Sequence, residues 1–462
     1  MKSSLSLALA AALLAGCTVG PDYQQPPTEV PAKFKELEGW KQSEPQDAAS
    51  RGAWWKVFAD PVLDDLEAQV DVSNQSLKVS EAAYRQAAAV VSATAASLFP
   101  TVTADGVGER ARTGPHLVGN SFSAALGASW EPDVWGRIHR AVENAASSAQ
   151  ASAGDLASAR LSAQSTLAMD YFELRSADEL KRLLDATVAA YERSLTITKN
   201  QYAQGVAARA DVVQADTQLK TTQAQAIAVG VQRAQLEHAI ATLIGKPPAE
   251  FTLTPAQGLA PAPEVPVGLP STLLERRPDI AAAERRMQAA NAEIGVAIAA
   301  YYPDLTLSGS TGFAASTLNK LLSSNVWALG PATLAGTLFD GGLRSAQVDE
   351  ARAAYEGSIA TYRQTVLTAF QQVEDDLAAL RILAEQARVQ AQAVAAAEEA
   401  VGLVLNQYRA GTVPYTSVIT AQATALANEQ TALSIRQSRL TYTTALVVAL
   451  GGDWGRGQLP QN

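Results

Sequence analysis

The chain has 462 residues, with 36 Lys and Arg against 46 Asp and Glu, a formal net charge of −10. That acidic balance excludes a surface built to wrap nucleic acid, and three His with a single Cys exclude zinc clusters, iron–sulfur ligation and a disulfide framework. Apolar residues make up 47% and aromatics only 6%, so small side chains, as in Ala87-Ala88-Ala89 and Ala395-Ala396-Ala397, carry much of the apolar content and suit closely packed helices.

Lys2 precedes an apolar run from Leu5 to Leu14. About ten apolar residues are too few to span a bilayer and match a signal-peptide core, so residues 1–16 are read as a signal peptide. Leu14-Ala15-Gly16-Cys17 resembles the lipobox of bacterial lipoproteins and holds the only cysteine. The resemblance implies that Cys17 is lipidated and becomes the acylated N-terminus, and that Thr18 in place of Asp sends the protein to the outer membrane. Two or three acyl chains anchor stably where one binds reversibly. Residues 17–59 then form an acylated, extended segment. No later stretch offers eighteen uncharged apolar residues, so any membrane crossing must be a closed β-barrel.

The remainder is written twice. Asn200-Gln201-Tyr202-Ala203-Gln204-Gly205 returns as Asn406-Gln407-Tyr408-Arg409-Ala410-Gly411, an offset of 206 that also relates Gly136 to Gly342, Leu174-Arg175 to Leu380-Arg381 and Gly245 to Gly451. Phe99-Pro100 corresponds to Tyr302-Pro303 at an offset of 203. The first repeat, 60–245, reads as a helix over 60–97, a β-hairpin over 101–132, a long helix over 136–202 and a return helix over 209–245. A Pro-rich linker, 246–270, follows, because seven prolines between Pro247 and Pro270 prevent helix. The second repeat, 271–451, reads as a helix over 278–300, a hairpin over 304–339, a long helix over 342–408 and a return helix over 415–450, before a tail at 452–462.

The hairpins alternate. Phe122, Ala124, Leu126, Ala128 and Trp130 share one face and Ser121, Ser123, Ala125, Gly127 and Ser129 the other, while Leu305, Leu307 and Phe313 alternate with Thr306, Ser308 and Ser310. One apolar and one small polar face suits a membrane-barrel strand; four such segments on a lipid-anchored chain favour that over a soluble sheet. The long helices contain no proline, and Leu180, Leu184, Val188, Tyr191, Leu195, Thr198 and Tyr202 recur at three- and four-residue steps. At 1.5 Å per residue each is a rod of roughly 100 Å.

Four strands cannot close a barrel, and open edges are not tolerated in lipid. Two copies would give about eight strands, whose interior side chains fill, whereas three give about twelve and leave a pore. The expected fold is mainly α with membrane β: a trimeric tunnel of a shared 12-stranded β-barrel, four strands per chain, above a long antiparallel α-helical barrel. Leu274-Glu275-Arg276-Arg277-Pro278-Asp279-Ile280-Ala281-Ala282-Ala283-Glu284-Arg285-Arg286, Gly20-Pro21-Asp22-Tyr23, Tyr302-Pro303-Asp304-Leu305, Leu338-Phe339-Asp340-Gly341-Gly342 and Gln407-Tyr408-Arg409-Ala410-Gly411 closely resemble signatures of the TolC-like outer-membrane efflux factors. The likeness covers nearly the whole mature chain and points to the NodT-type lipoprotein branch that serves resistance-nodulation-division pumps. It implies a homotrimeric channel in outer-membrane lipid that extends into the periplasm. It also implies a periplasmic adaptor and an inner-membrane pump as partners, and export of small toxic compounds or drugs.

Such a duct needs no catalytic centre, metal or cofactor beyond the lipid on Cys17; its chemistry is gating and docking. Gly205 and Gly411 would turn the chain at the periplasmic tip and meet the adaptor. Tyr202 and Tyr408, at equivalent positions, read either as a latch across helices or as packing, and Tyr415 after the second turn is a further candidate at the periplasmic tip. The family often places an acidic ring after the second turn, where this chain has Thr420; Asp211 and Asp216 after the first turn are the alternative carboxylates, with helix capping as the rival reading. Arg276, Arg277 and Asp279 read as structural ion pairs at the equator, and Trp130, Trp135 and Trp327 as an aromatic girdle or as core. Gly245-Lys246-Pro247 lacks the features of a phosphate loop, and His116, His139 and His238 are isolated, so no enzyme signature stands out. A protein-secretion duct and a coiled-coil envelope spacer are the remaining alternatives, the latter opposed by the strand segments.

Overall fold

The computed structural model describes residues 18–27, 30–37, 53–112, 118–256, 258–265, 276–452, 454 and 458–460. The signal segment, Cys17, His116 and Leu274-Glu275 lie outside these residues.

The region expected as one helix over 60–97 is two: α1, Pro61–Ser73, and α2, Gln75–Ala96. Asp60 starts α1 by accepting from the amides of Val62 and Leu63, with Pro61 in the first turn. The break is an Asn cap. Asn74 leaves the helical region at ψ 122°, accepts from the Leu77 amide at 3.0 Å and donates to the Leu243 carbonyl at 2.8 Å. One side chain thus starts α2 and finishes a helix 169 residues away. Gly245 lies against this corner, where a Cβ would stand 2.3 Å from the Ser73 carbonyl.

The first hairpin is β1, Thr101–Arg112, and β2, Val118–Trp130. The long helix α3, Arg137–Ala203, and the return helix α4, Arg209–Leu243, follow. The second repeat contributes α5, Pro278–Ala299, then β3, Asp304–Ala315, and β4, Asn325–Ala335, then α6, Leu343–Arg409, and α7, Tyr415–Ala449. Both long helices have 67 residues and both return helices 35, and all four boundaries repeat at an offset of 206. At 1.5 Å per residue the rods reach roughly 100 Å. No helix among the described residues is long and apolar enough to cross a membrane.

The four strands form one antiparallel sheet in the order β1-β2-β3-β4. Pairing of Phe122 with Ala315 through Trp130 with Leu307 joins the two repeats. The register puts Phe122, Leu126 and Trp130 of β2 on the face of Leu305, Leu307 and Phe313 of β3, while Ser123 and Ser129 share the opposite face with Thr103 and Asp105 of β1. Within the chain β1 and β4 each keep one unpaired edge.

The core sits where the rods meet α1, α2 and α5. Tyr171, Leu174, Tyr362, Val366, Val373 and Leu377 of the rods pack there with Leu63, Val70 and Ile280. The N-terminal segment, expected to be extended throughout, contributes a 3-10 turn, Trp54–Phe58, that buries Trp54, Trp55 and Phe58 in this core. Its earlier part straps the rods together. Val19 donates to the Trp135 carbonyl, Arg140 reaches Asp22 at 2.8 Å, and Glu374 accepts the Lys35 and Glu36 amides. Arg277 forms a two-point pair with Asp279 and also donates to Gln372 and to the Ala449 carbonyl, which ties α5, α6 and the end of α7 together. Trp130 and Trp135 donate to the Leu98 and Pro303 carbonyls at the foot of the strands, and Trp327 is 75% exposed on β4.

Candidate functional site

The far ends of the rods, opposite the sheet, bring the two repeats face to face. Each rod turns back through a glycine. Gly205 has φ +76° and Gly411 φ +72°, with hydrogen bonds to the Tyr202 and Tyr408 carbonyls. An added Cβ at either would meet nothing, so backbone conformation rather than crowding demands glycine.

Beside the turns the two hairpins build one cluster from Tyr191, Leu195, Ala215, Leu219, Tyr408, Tyr415 and Val418. The Tyr408 and Tyr415 rings lie 5.2 Å apart. Tyr408 donates to the Thr198 hydroxyl at 3.4 Å, and the Tyr415 and Ser194 hydroxyls share a bond of 3.1 Å. Gln218 donates to the Tyr191 hydroxyl. Burial pushes the phenols of Tyr191, Tyr408 and Tyr415 upward, so all three stay neutral. Tyr408 and Tyr415 therefore latch the second hairpin to the first.

Tyr202 does not join them. It is 47% exposed and its hydroxyl has no partner among the described residues. The reason lies one turn on: the position equivalent to Tyr415 is Arg209, so Tyr202 has no ring to stack on. Asp211 accepts from the Ala208 amide at 3.2 Å and caps α4, which favours the capping reading. Asp216 is exposed with no ion pair among the described residues. Thr420 spends its hydroxyl on the Thr416 carbonyl of its own helix. Ser194 and Thr198, the partners across the latch, were not singled out for this role; two hydroxyls four residues apart in an otherwise apolar stripe were the available signal. No group of side chains that could hold a metal is found among the described residues.

The pattern that defines the outer membrane efflux protein family matches residues 68–246 and 269–452, one segment for each repeat. The chain belongs to that family. It is 32% identical to the probable efflux pump outer membrane protein TtgC of Pseudomonas putida, over 98% of this chain and 96% of that one. It is equally identical, at 32%, to the pyoverdine export outer membrane protein OpmQ of Pseudomonas aeruginosa, over 98% and 97%. Among solved structures, the outer-membrane channel OprN superposes with a TM-score of 0.89 at 29% identity, covering 94% of this chain and 99% of its own. The open-state MtrE channel of Neisseria gonorrhoeae superposes at 0.85 with 30% identity, covering 95% and 99%. This member of the family is an outer-membrane efflux channel. Its fold is that of the trimeric tunnels, in which each chain lends four strands to a shared barrel and the rods extend into the periplasm.

Proposed function

We propose that three copies of this chain form a passive export duct, the outer-membrane part of a tripartite pump. A periplasmic adaptor would meet the hairpin turns at Gly205 and Gly411, and an inner-membrane resistance-nodulation-division pump would supply the energy. Cys17 would carry the acyl anchor. The cargo would be drugs or other small toxic compounds, in keeping with two further relatives from Pseudomonas putida, the outer membrane proteins of a toluene and of a solvent efflux pump. No catalytic centre or cofactor is assigned.

The observation that carries this reading is the unfinished state of the single chain. The sheet has two open edges, and the helices carry exposed apolar residues, Ile382 and Val389 seven positions apart on α6 and Ile227 and Val231 four apart on α4. Neighbouring copies would satisfy both features. Light scattering of the detergent-extracted protein, with detergent subtracted, should give the mass of three chains, and planar bilayers should show ion conduction. A folded monomer that conducts nothing would overturn it.

A further inference from the structure

Above the latch the two rods part. Tyr408 touches Thr198, and from that level, at Arg409 and Ser194, up to Leu183 a cavity of about 580 Å³ opens between α3 and α6, with α7 as its floor. Leu183 and Ile197 of α3, Val401 and Leu405 of α6, and Leu426 of α7 give it apolar walls. The volume lies in the range of small-molecule sites, and the walls have their usual apolar character.

The lining hydroxyls are all used: Thr187 and Thr196 donate to carbonyls of their own helix, Ser194 bonds Tyr415 and Tyr191 accepts from Gln218. Arg193 and Arg409 both line the cavity and are exposed. Arg193 has no ion pair among the described residues, and Arg409 donates only to Asn406, at 3.5 Å. Gln422, 6% exposed, also lines the cavity and makes no hydrogen bond among the described residues; its Oε1 is enclosed without a donor there. A buried amide without partners is costly unless something fills the role. Glu429 is the one acid of the lining, and burial together with Glu398 pushes its carboxyl upward, toward the neutral form. Two cations without carboxylate partners, an unpaired amide and apolar walls match one kind of molecule: an apolar body with an anionic head and a hydrogen-bond donor.

We propose that this cavity is a binding site for small amphipathic anions, one per chain, with Arg193 and Arg409 holding the head and Gln422 accepting from the body. A molecule seated there touches α3 of the first hairpin and α6 and α7 of the second. It therefore favours the present arrangement of the hairpins over any in which they separate. The site stands on tip geometry, and its test needs no conduction, so it can fail without the channel reading failing.

Anilinonaphthalenesulfonate has the required features: aromatic rings, one N–H and one sulfonate. Its fluorescence is titrated against the full-length assembly in nanodiscs, with empty nanodiscs as blank. One saturable site per chain is expected. Arg193→Gln with Arg409→Gln should weaken binding about tenfold or more, because hydrogen bonds to charged groups are the strong ones. Ala425→Phe, which fills the cavity, should abolish the saturable component, and Lys78→Gln, on the distant helix α2, should leave it unchanged. Absence of a saturable component in the unaltered protein would overturn the proposal. Full affinity in the double arginine variant would overturn it too, and that variant decides the matter if Ala425→Phe does not assemble.

Discussion

The two hairpin tips are the same backbone with different chemistry. Their helices end and restart at positions 206 residues apart, and both turns use a glycine with φ above 70°. Yet the second tip buries Tyr408 and Tyr415 against the first hairpin, while the first leaves Tyr202 in solvent. A duplicated rod therefore does not mean a duplicated latch. The first hairpin supplies the hydroxyls of Ser194 and Thr198 and the second supplies the aromatic rings, so the contact works in one direction.

The largest test of the shared backbone is proline in the rods. Leu184→Pro and its repeat equivalent Gln390→Pro should each cost about 3 kcal/mol or more for the broken helix. Leu184 is 1% exposed, so its variant also loses core packing and should be the worse of the two. Circular dichroism melting and trimer yield measure both; equal damage would mean that the rods pack alike at this height.

Next come Asp170 and Asp376, which the offset of 206 also pairs. Burial pushes their carboxyls up to about 6 and about 7, with Glu173 and Asp375 adding to the shift. A folded-state value above the unfolded one makes the ionised form the costly one. Stability should therefore fall as pH rises from about 4 through these values. Asp376→Asn removes that loss and should stabilise the protein by about 2 kcal/mol at pH 8 relative to pH 4, after allowance for partial solvation. Asp170→Asn should gain less. Melting temperatures at the two pH values check the order, and a variant gain that is greater at pH 4 would contradict the sign.

The latch itself is smaller. Tyr415→Phe should loosen the tip by about 1 kcal/mol, roughly a fivefold change in the balance between latched and separated hairpins. Tyr408→Phe, with the longer bond, should do less, and Tyr202→Phe nothing. The open fraction in single-channel recordings reads all three; an effect at Tyr202 equal to that at Tyr415 would restore the symmetric latch.

The smallest contrast is at the caps. Asp211→Ala should destabilise α4 by about 1 kcal/mol or less, whereas Ser417→Ala, at the equivalent place in α7, should cost nothing measurable because its hydroxyl makes no cap. Hydrogen exchange of the first turn of each return helix distinguishes them.

Much of the architecture was readable before any coordinates. The long rods, the glycine turns, the return helices and the alternating strands follow from periodicity and from residues that stop helices. The break at Asn74 was not readable, because the apolar pattern runs through it and the deciding partner is the Leu243 carbonyl. The role of Trp54–Phe58 was hidden for a related reason: a short aromatic run after a long polar stretch has no period of its own, and only the core that receives it gives it form. By position Asp211 reads either as a pore carboxylate or as a helix cap, and the bond from the Ala208 amide that makes it a cap is visible only in the structure.

The sequence by itself determined the repeat, the lengths of the rods and the places where they turn. These depend on residues within a few positions of each other, whose preferences act through the local backbone. Only the tertiary structure decided which tyrosines latch, how the N-terminal strap crosses both repeats and where a cavity remains between the rods. Those outcomes depend on partners far apart in the chain, 210 residues for Tyr408 with Thr198 and 221 for Ser194 with Tyr415. A repeat copies backbone geometry reliably, but a hydrogen bond needs two particular side chains, and substitution on either side of the contact is enough to make the two copies differ.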